Sequence, residues 1–300
     1  MERRDFLKST TAALGALALS GKPYAVADPS SFPDLVVVKN GAPAEMTRKA
    51  VEALGGMAKF VKPGDVVAVK PNLSWDRLPE QGATTNPDVV AEVIRLCLNA
   101  GAKTVKVFDF TLNEPRRCYK RSGIEKAAKE AGADVQFVYE PKFKTVRFPE
   151  GELIKSWSIY QDVLEADRIV NVPCAKHHNV SGMSLGMKNL MGWIGGNRGQ
   201  FHRQFDIKIV DLSTRIRPDL VILDAVRQLV RNGPSGGNLS DVVLKKTVVA
   251  GIDPVAVDGY GATLFQLNPR RVAFLVEAEK RKLGRLDLER LNVQTITLSE

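Results

Sequence analysis

Three histidines, a handful of lysines and a scatter of aspartates carry most of the chemistry open to this sequence. His177, His178 and His202 fall within one stretch. Histidine serves both as a metal ligand and as an acid–base group near neutral pH. Neighbours in an extended segment point to opposite sides, so His202 is expected to work with His177 or His178 but not both. Apolar runs elsewhere end in polar residues. Lys70, Pro71 and Asn72 follow residues 66–69, and Asp109 follows residues 105–108. Cys174, Lys176 and the first two histidines follow residues 168–172, Asp224 follows residues 220–223, and Asp253 follows residues 242–251. Ligands of open α/β sheets sit beyond the carboxyl ends of the strands, so these groups are expected on one rim.

That rim supplies the candidates. His177, His202, Lys176 and Asp258 are the expected catalytic groups. Lys70, Asn72, Asp109, Lys188, Asn189, Arg198, Asp224 and Asp253 are the expected ligand contacts. A bound metal would draw on His177, His178, His202 and Cys174, although no H-E-x-x-H or comparable spacing is present. The glycines of residues 182–192 let backbone amides approach a ligand, and Lys188 can meet an anion there. Residues 195–199 read as a mobile flap offering Arg198 to a carboxylate or phosphate. Asp253 reads as a helix N-cap. Asp258 lies in an otherwise apolar helix and needs a partner, for which Lys70, Lys176 and Lys188 are available.

These groups require a scaffold, and the pattern names one. Short β-rich runs alternate with helical stretches. Asn86-Pro87-Asp88 opens a helix that stops at Gly101, in the order cap, first-turn proline, terminating glycine. Continuous apolar strands between helices predict an α/β fold, Rossmann-like, with a mainly parallel sheet covered on both faces. Pro149-Glu150-Gly151 joins two β-prone pieces within residues 142–157, which predicts a small β-hairpin insertion. No repeat or low-complexity linker appears, so residues 28–300 are expected to form a single domain.

The first 27 residues read differently. Arg3-Arg4-Asp5-Phe6-Leu7-Lys8 precedes a weakly apolar stretch and then Ala25-Val26-Ala27. A positive start, a short apolar core and small residues at a cut site make a secretory signal, and the arginine pair marks the twin-arginine (Tat) route of bacteria. Cleavage is expected after Ala27. The protein would meet the Tat translocase during export and reside in the periplasm or otherwise outside the cytoplasm. The apolar core is shorter than the roughly 20 residues a spanning helix needs, and no stable membrane span is expected elsewhere.

The net charge is +9, of which residues 1–27 contribute +2, leaving +7 for the remainder. The positive residues are dispersed, without a basic stripe interleaved with aromatics, which argues against nucleic acid. A moderate positive field favours anionic ligands. The three cysteines, Cys97, Cys118 and Cys174, form no C-x-x-C pair. Cys97 fits a helix core. Cys118 and Cys174 can pair in an oxidising compartment, stay free or ligate a metal.

The sequence resembles the domain of unknown function 362 family. The likeness runs through Lys70-Pro71-Asn72, Thr85-Asn86-Pro87, Asn171-Val172-Pro173 with Lys176 and His177, Lys188 to Gly192, His202, Gly233-Pro234 and residues 251–258. It implies the fold and the place of the site more than a reaction. Some relatives carry extra cysteines and are described as iron–sulfur proteins. This sequence lacks that segment and the close cysteine spacing known clusters use. Three functions follow: an exported metal- or cofactor-dependent enzyme, with redox chemistry among its options; a non-catalytic binding protein for a small anionic ligand; or an iron–sulfur protein using Cys118 and Cys174. The first is preferred, the last least.

Overall fold

The chain is described by a computed structural model covering residues 32–299. The expected signal peptide and its cleavage site lie outside these residues. Twelve strands occur in order: β1 (Leu35–Lys39), β2 (Val66–Pro71), β3 (Thr104–Val107), β4 (Asp134–Val135), β5 (Phe143–Arg147), β6 (Ser156–Tyr160), β7 (Arg168–Val172), β8 (Cys174–His178), β9 (Gly182–Ser184), β10 (Leu220–Leu229), β11 (Val242–Gly251) and β12 (Val293–Thr297). The helices are α1 (Pro43–Ala53), α2 (Pro87–Asn99), α3 (Pro115–Arg121), α4 (Ile124–Glu130), α5 (Gln161–Leu164), α6 (Gly186–Asn189), α7 (Arg198–Phe201), α8 (Phe205–Arg215), α9 (Pro254–Leu264) and α10 (Ala273–Lys280).

The main sheet runs β12-β1-β11-β10-β7-β2-β3-β4, with β8 and β9 extending it beside β10. From β10 to β4 every pairing is parallel. This is the α/β fold the alternating pattern predicts. Both faces are covered because both sides of each strand are apolar. Leu35, Val37, Ala68, Val221 and Leu223 pack into one core with α8, α9 and α10. Val36, Val38, Val67, Val69 and Ile222 pack into the other with α1, α2 and α4. Each fully buried valine or leucine contributes about 1.5–3 kcal/mol, so a shift of register by one residue exchanges the two cores and is strongly disfavoured. β5 and β6 form the expected separate hairpin.

β11 departs from the expectation of one rim. It runs antiparallel to both β1 and β10, and its last residue, Gly251, pairs with Leu35 and Val221 at their amino ends. Asp253 therefore lies at the rim opposite the carboxyl ends of β2 and β7. The apolar run could not reveal this, because a buried strand has the same composition in either direction.

Among the described residues no helix is long and apolar enough to cross a membrane.

Candidate functional site

The carboxyl ends of β2, β3 and β7 converge on a buried polar floor. Lys70 and Asn171 are register partners on β2 and β7. The Lys70 Nζ lies 3.0 Å from Asp109 Oδ1, both side chains essentially inaccessible to solvent. Burial pulls the Lys70 ammonium down from its ordinary range, and Asp109 opposes that pull. Asp109 accepts in addition from the Leu73 backbone N–H at 2.7 Å. Asn189 ties α6 to this floor. Its Nδ2 donates to Lys70 O at 2.9 Å and to Asn171 Oδ1 at 2.8 Å, while its Oδ1 accepts from Asn72 Nδ2 at 3.0 Å. Both amide hydrogens are thus committed to the scaffold. Asn72 Oδ1 in turn accepts from Lys176 Nζ at 2.9 Å.

Above the floor is a narrow cleft enclosing about 80 Å³, with Lys176, His178, Lys188, Arg198 and His202 on its walls together with Ser74 and Ser184. A water molecule needs roughly 10–15 Å³ by this measure, so several waters or a small anion fit. No acidic side chain lines the cleft. Lys176, Lys188 and Arg198 form no ion pair among the described residues. Lys176 Nζ is buried and donates to Ala83 O at 2.6 Å and to Asn72. Burial lowers its affinity for a proton. Lys188 Nζ sits 3.1 Å from His202 Nε2, 3.6 Å from Met191 Sδ and 4.8 Å from the centre of the Phe205 ring. Burial, with a smaller repulsion from Lys176, brings Lys188 down to about 7.

The three histidines separate as strand alternation requires. Lys176 and His178 share the cleft side of β8. His177 points away, and its Nδ1 accepts from the Gly233 N–H at 3.2 Å. His178 Nδ1 accepts from the N–H groups of Val180 and Ser181. His202 Nδ1 lies 3.2 Å from Arg198 O. A carbonyl only accepts, so that nitrogen carries the proton, and Nε2 is left as an acceptor facing Lys188. The rings of His178 and His202 stack at 5.7 Å and 14°. Burial first, and the Lys188 charge next, hold both imidazoles below their ordinary range.

Several expected roles change. The expected metal ligands do not converge: His177 faces Gly233, His178 spends Nδ1 on a turn, and His202 spends its ring nitrogens on Arg198 and Lys188. Among the described residues no group of three or more His, Cys, Asp or Glu side chains is arranged to hold a metal ion. Cys97, Cys118 and Cys174 are free and buried, so no Cys118–Cys174 disulfide exists here. Burial pushes Cys118 and Cys174 up to about 11 and Cys97 to about 12.

Arg198 is held against the segment that follows β3. Its guanidinium donates to Phe110 O at 2.6 Å and Thr111 O at 3.0 Å and packs 4.1 Å from the centre of the Phe110 ring. Asp258 has no lysine partner. Its carboxyl accepts from the Gly186 N–H at 2.6 Å and the Met187 N–H at 2.9 Å, fixing the start of α6 and so the position of Lys188. Burial still raises it to about 7. Asp224 accepts from Asn86 and Val226 N–H groups and lies outside the cleft lining. Asp253 caps α9 through Val255 and Ala256, as its sequence position suggests, and also accepts from Arg285. Sequence reasoning missed Ser74, Trp75 and Ser184. Ser74 had a signal, being the next polar residue after Asn72 beyond β2; Trp75 and Ser184 had none.

The family model described as Domain of unknown function (DUF362) matches residues 67–263. The chain belongs to the DUF362 family. The match runs from β2 into α9 and contains the whole cleft. A thylakoid-associated protein of Synechocystis sp. is 29% identical to this DUF362 chain over 246 residues, 79% of this chain and 74% of the relative. Two solved structures are more distant. A Thermotoga maritima protein aligns at 14% identity over 75% of the chain with a TM-score of 0.45. The lactate racemase apoprotein of Thermoanaerobacterium thermosaccharolyticum aligns at 12% identity over 84% with a TM-score of 0.43. The chain spans 58% of the length of each of these two proteins.

Proposed function

We propose that this DUF362 chain is an exported single-domain protein that binds a small anionic ligand, a carboxylate or phosphate, in the cleft above Asn72 and Asn189. The carrying observation is the cleft's unbalanced charge: two buried lysines, Lys176 and Lys188, with the half-buried Arg198 beside them, and no acidic side chain. A buried charge without a partner is costly, and an anion would supply the partner. Spare donors support the reading. Lys176 uses two of its three N–H groups and Arg198 two of its five, and Ser184 adds a hydroxyl. Lys70 stands apart, already neutralised by Asp109.

Acid–base catalysis on that ligand is a second reading, favoured by one contact. Lys188 and His202 face each other with an amine against an unprotonated imidazole nitrogen. A base whose affinity for protons matches the working pH suits proton transfer.

Residues 1–27 would export the chain through the Tat translocase, with cleavage after Ala27. The thylakoid-associated relative is in keeping with a protein that works beyond the cytoplasm. Changing Arg3 and Arg4 together to Lys should abolish export, read as the mature N-terminus by mass spectrometry; undiminished cleavage would refute this part.

Thermal melts of the mature chain with phosphate, a 2-hydroxy carboxylate and a 2-oxo carboxylate test the site. One anion should stabilise the protein, by about 2.7 kcal/mol at a hundredfold excess over Kd. The effect should disappear in Lys176→Met. No stabilisation by any of them would refute the anion site.

A further inference from the structure

Two lysines at this site are treated oppositely. Lys70 is buried against Asp109, an arrangement that keeps an ammonium charged. Lys188 is buried to a similar degree but touches a thioether, an aromatic face and the acceptor nitrogen of His202. No carboxylate pairs with it, and it lines the cleft. A desolvated lysine without a carboxylate is the state in which the nitrogen acts as a nucleophile.

We propose that the cleft takes a 2-oxo carboxylate and that the Lys188 amine forms an imine with its C2 carbonyl. The inference rests on the anion site above, which supplies the hold on the carboxylate: the spare donors of Lys176 and Arg198. The Nζ lone pair attacks C2, forming the C–N bond as the carbonyl π electrons move to oxygen. His202 Nε2 relays a proton from nitrogen to that oxygen, and the hydroxyl departs with the second amine hydrogen. The carbonyl oxygen and both amine hydrogens leave as one water, and no oxidant or reductant is consumed. His202 is held for this task by the bond from its Nδ1–H to Arg198 O, which makes Nε2 the basic nitrogen. A 2-hydroxy acid or phosphate offers no carbonyl and would be held without reacting.

The test incubates the mature chain with pyruvate and cyanoborohydride, followed by intact mass and peptide mapping. The expected product is a single adduct, heavier than the protein by the oxo acid less one oxygen atom, on the peptide containing Lys188. Lys188→Met, which removes the amine and keeps most of the side-chain volume, should lose the adduct while still melting cooperatively, and lactate in place of pyruvate should give none. His202→Asn should slow trapping by about a hundredfold, the low end for a general acid–base group, without loss of pyruvate-induced stabilisation. Stabilisation by pyruvate without an adduct on Lys188 overturns the imine and leaves the anion site standing. Stabilisation by phosphate alone does the same. Failure of every anion to stabilise or react overturns both. An adduct spread over surface lysines, with no preference for Lys188, also overturns the imine.

Discussion

Replacing Lys188 by Met should stabilise the protein, and more so as the pH falls. The change keeps most of the side-chain volume and removes the amine. In the folded state burial brings this group from 10.5 to about 7, which corresponds to about 5 kcal/mol at about 1.4 kcal/mol per pH unit. The sign follows from where the proton sits. Between these two values the folded chain has given up a proton that the unfolded chain still binds, so the stability this group contributes is present above 10.5 and lost as the pH falls through about 7. The variant has no such group. Its advantage over wild type should grow by about 1.4 kcal/mol for each pH unit between about pH 10 and pH 7, then level off. Asp224 and Asp258, raised to about 6 and about 7 by burial, act in the opposite sense: their contribution is lost as the pH rises. They are common to both proteins and cancel in the difference. Urea unfolding of both proteins across this pH range, with equal m-values, gives the comparison. Parallel pH profiles would refute the reading of Lys188 as a buried amine without a counter-charge.

Three other outcomes follow from the same geometry. Gly192→Ala would place a Cβ against Asp109 Oδ1 and 2.8 Å from Lys70 Nζ; forcing that buried pair apart should cost about 3–5 kcal/mol, read as a lower urea midpoint, and a neutral result would show that the pair yields freely. Asp258→Asn puts an amide NH2 against one of the two N–H groups of Gly186 and Met187, so a loss of about 1–3 kcal/mol is expected, accompanied by weaker anion stabilisation because α6 carries Lys188. Binding of the anion above pH 7 should take up close to one proton, since a negative partner restores the Lys188 ammonium; calorimetry in buffers of different ionisation enthalpy measures it, and zero uptake would place the anion away from Lys188.

The residues themselves determined the α/β class, the buried parallel strands and the hairpin, because apolar runs and turn residues act locally. Asn86 and Asp253 were legible as caps for the same reason: a cap bonds to its own next turn. The grouping of Lys176, Lys188, Arg198 and His202 near Asn72 and Asn189 was legible in outline, since parallel strands deliver their carboxyl ends to one rim. What the tertiary structure alone decided were directions and partners. It turned β11 around and took Asp253 off that rim, although a buried strand reads alike both ways. It chose His178 over His177 by setting which side of β8 faces the cleft. It gave Asp258 backbone N–H groups where a lysine was expected, and it left Lys188 without the carboxylate that Lys70 received. These last choices depend on which distant segments meet in three dimensions, and they decide which buried charges remain for a ligand to balance.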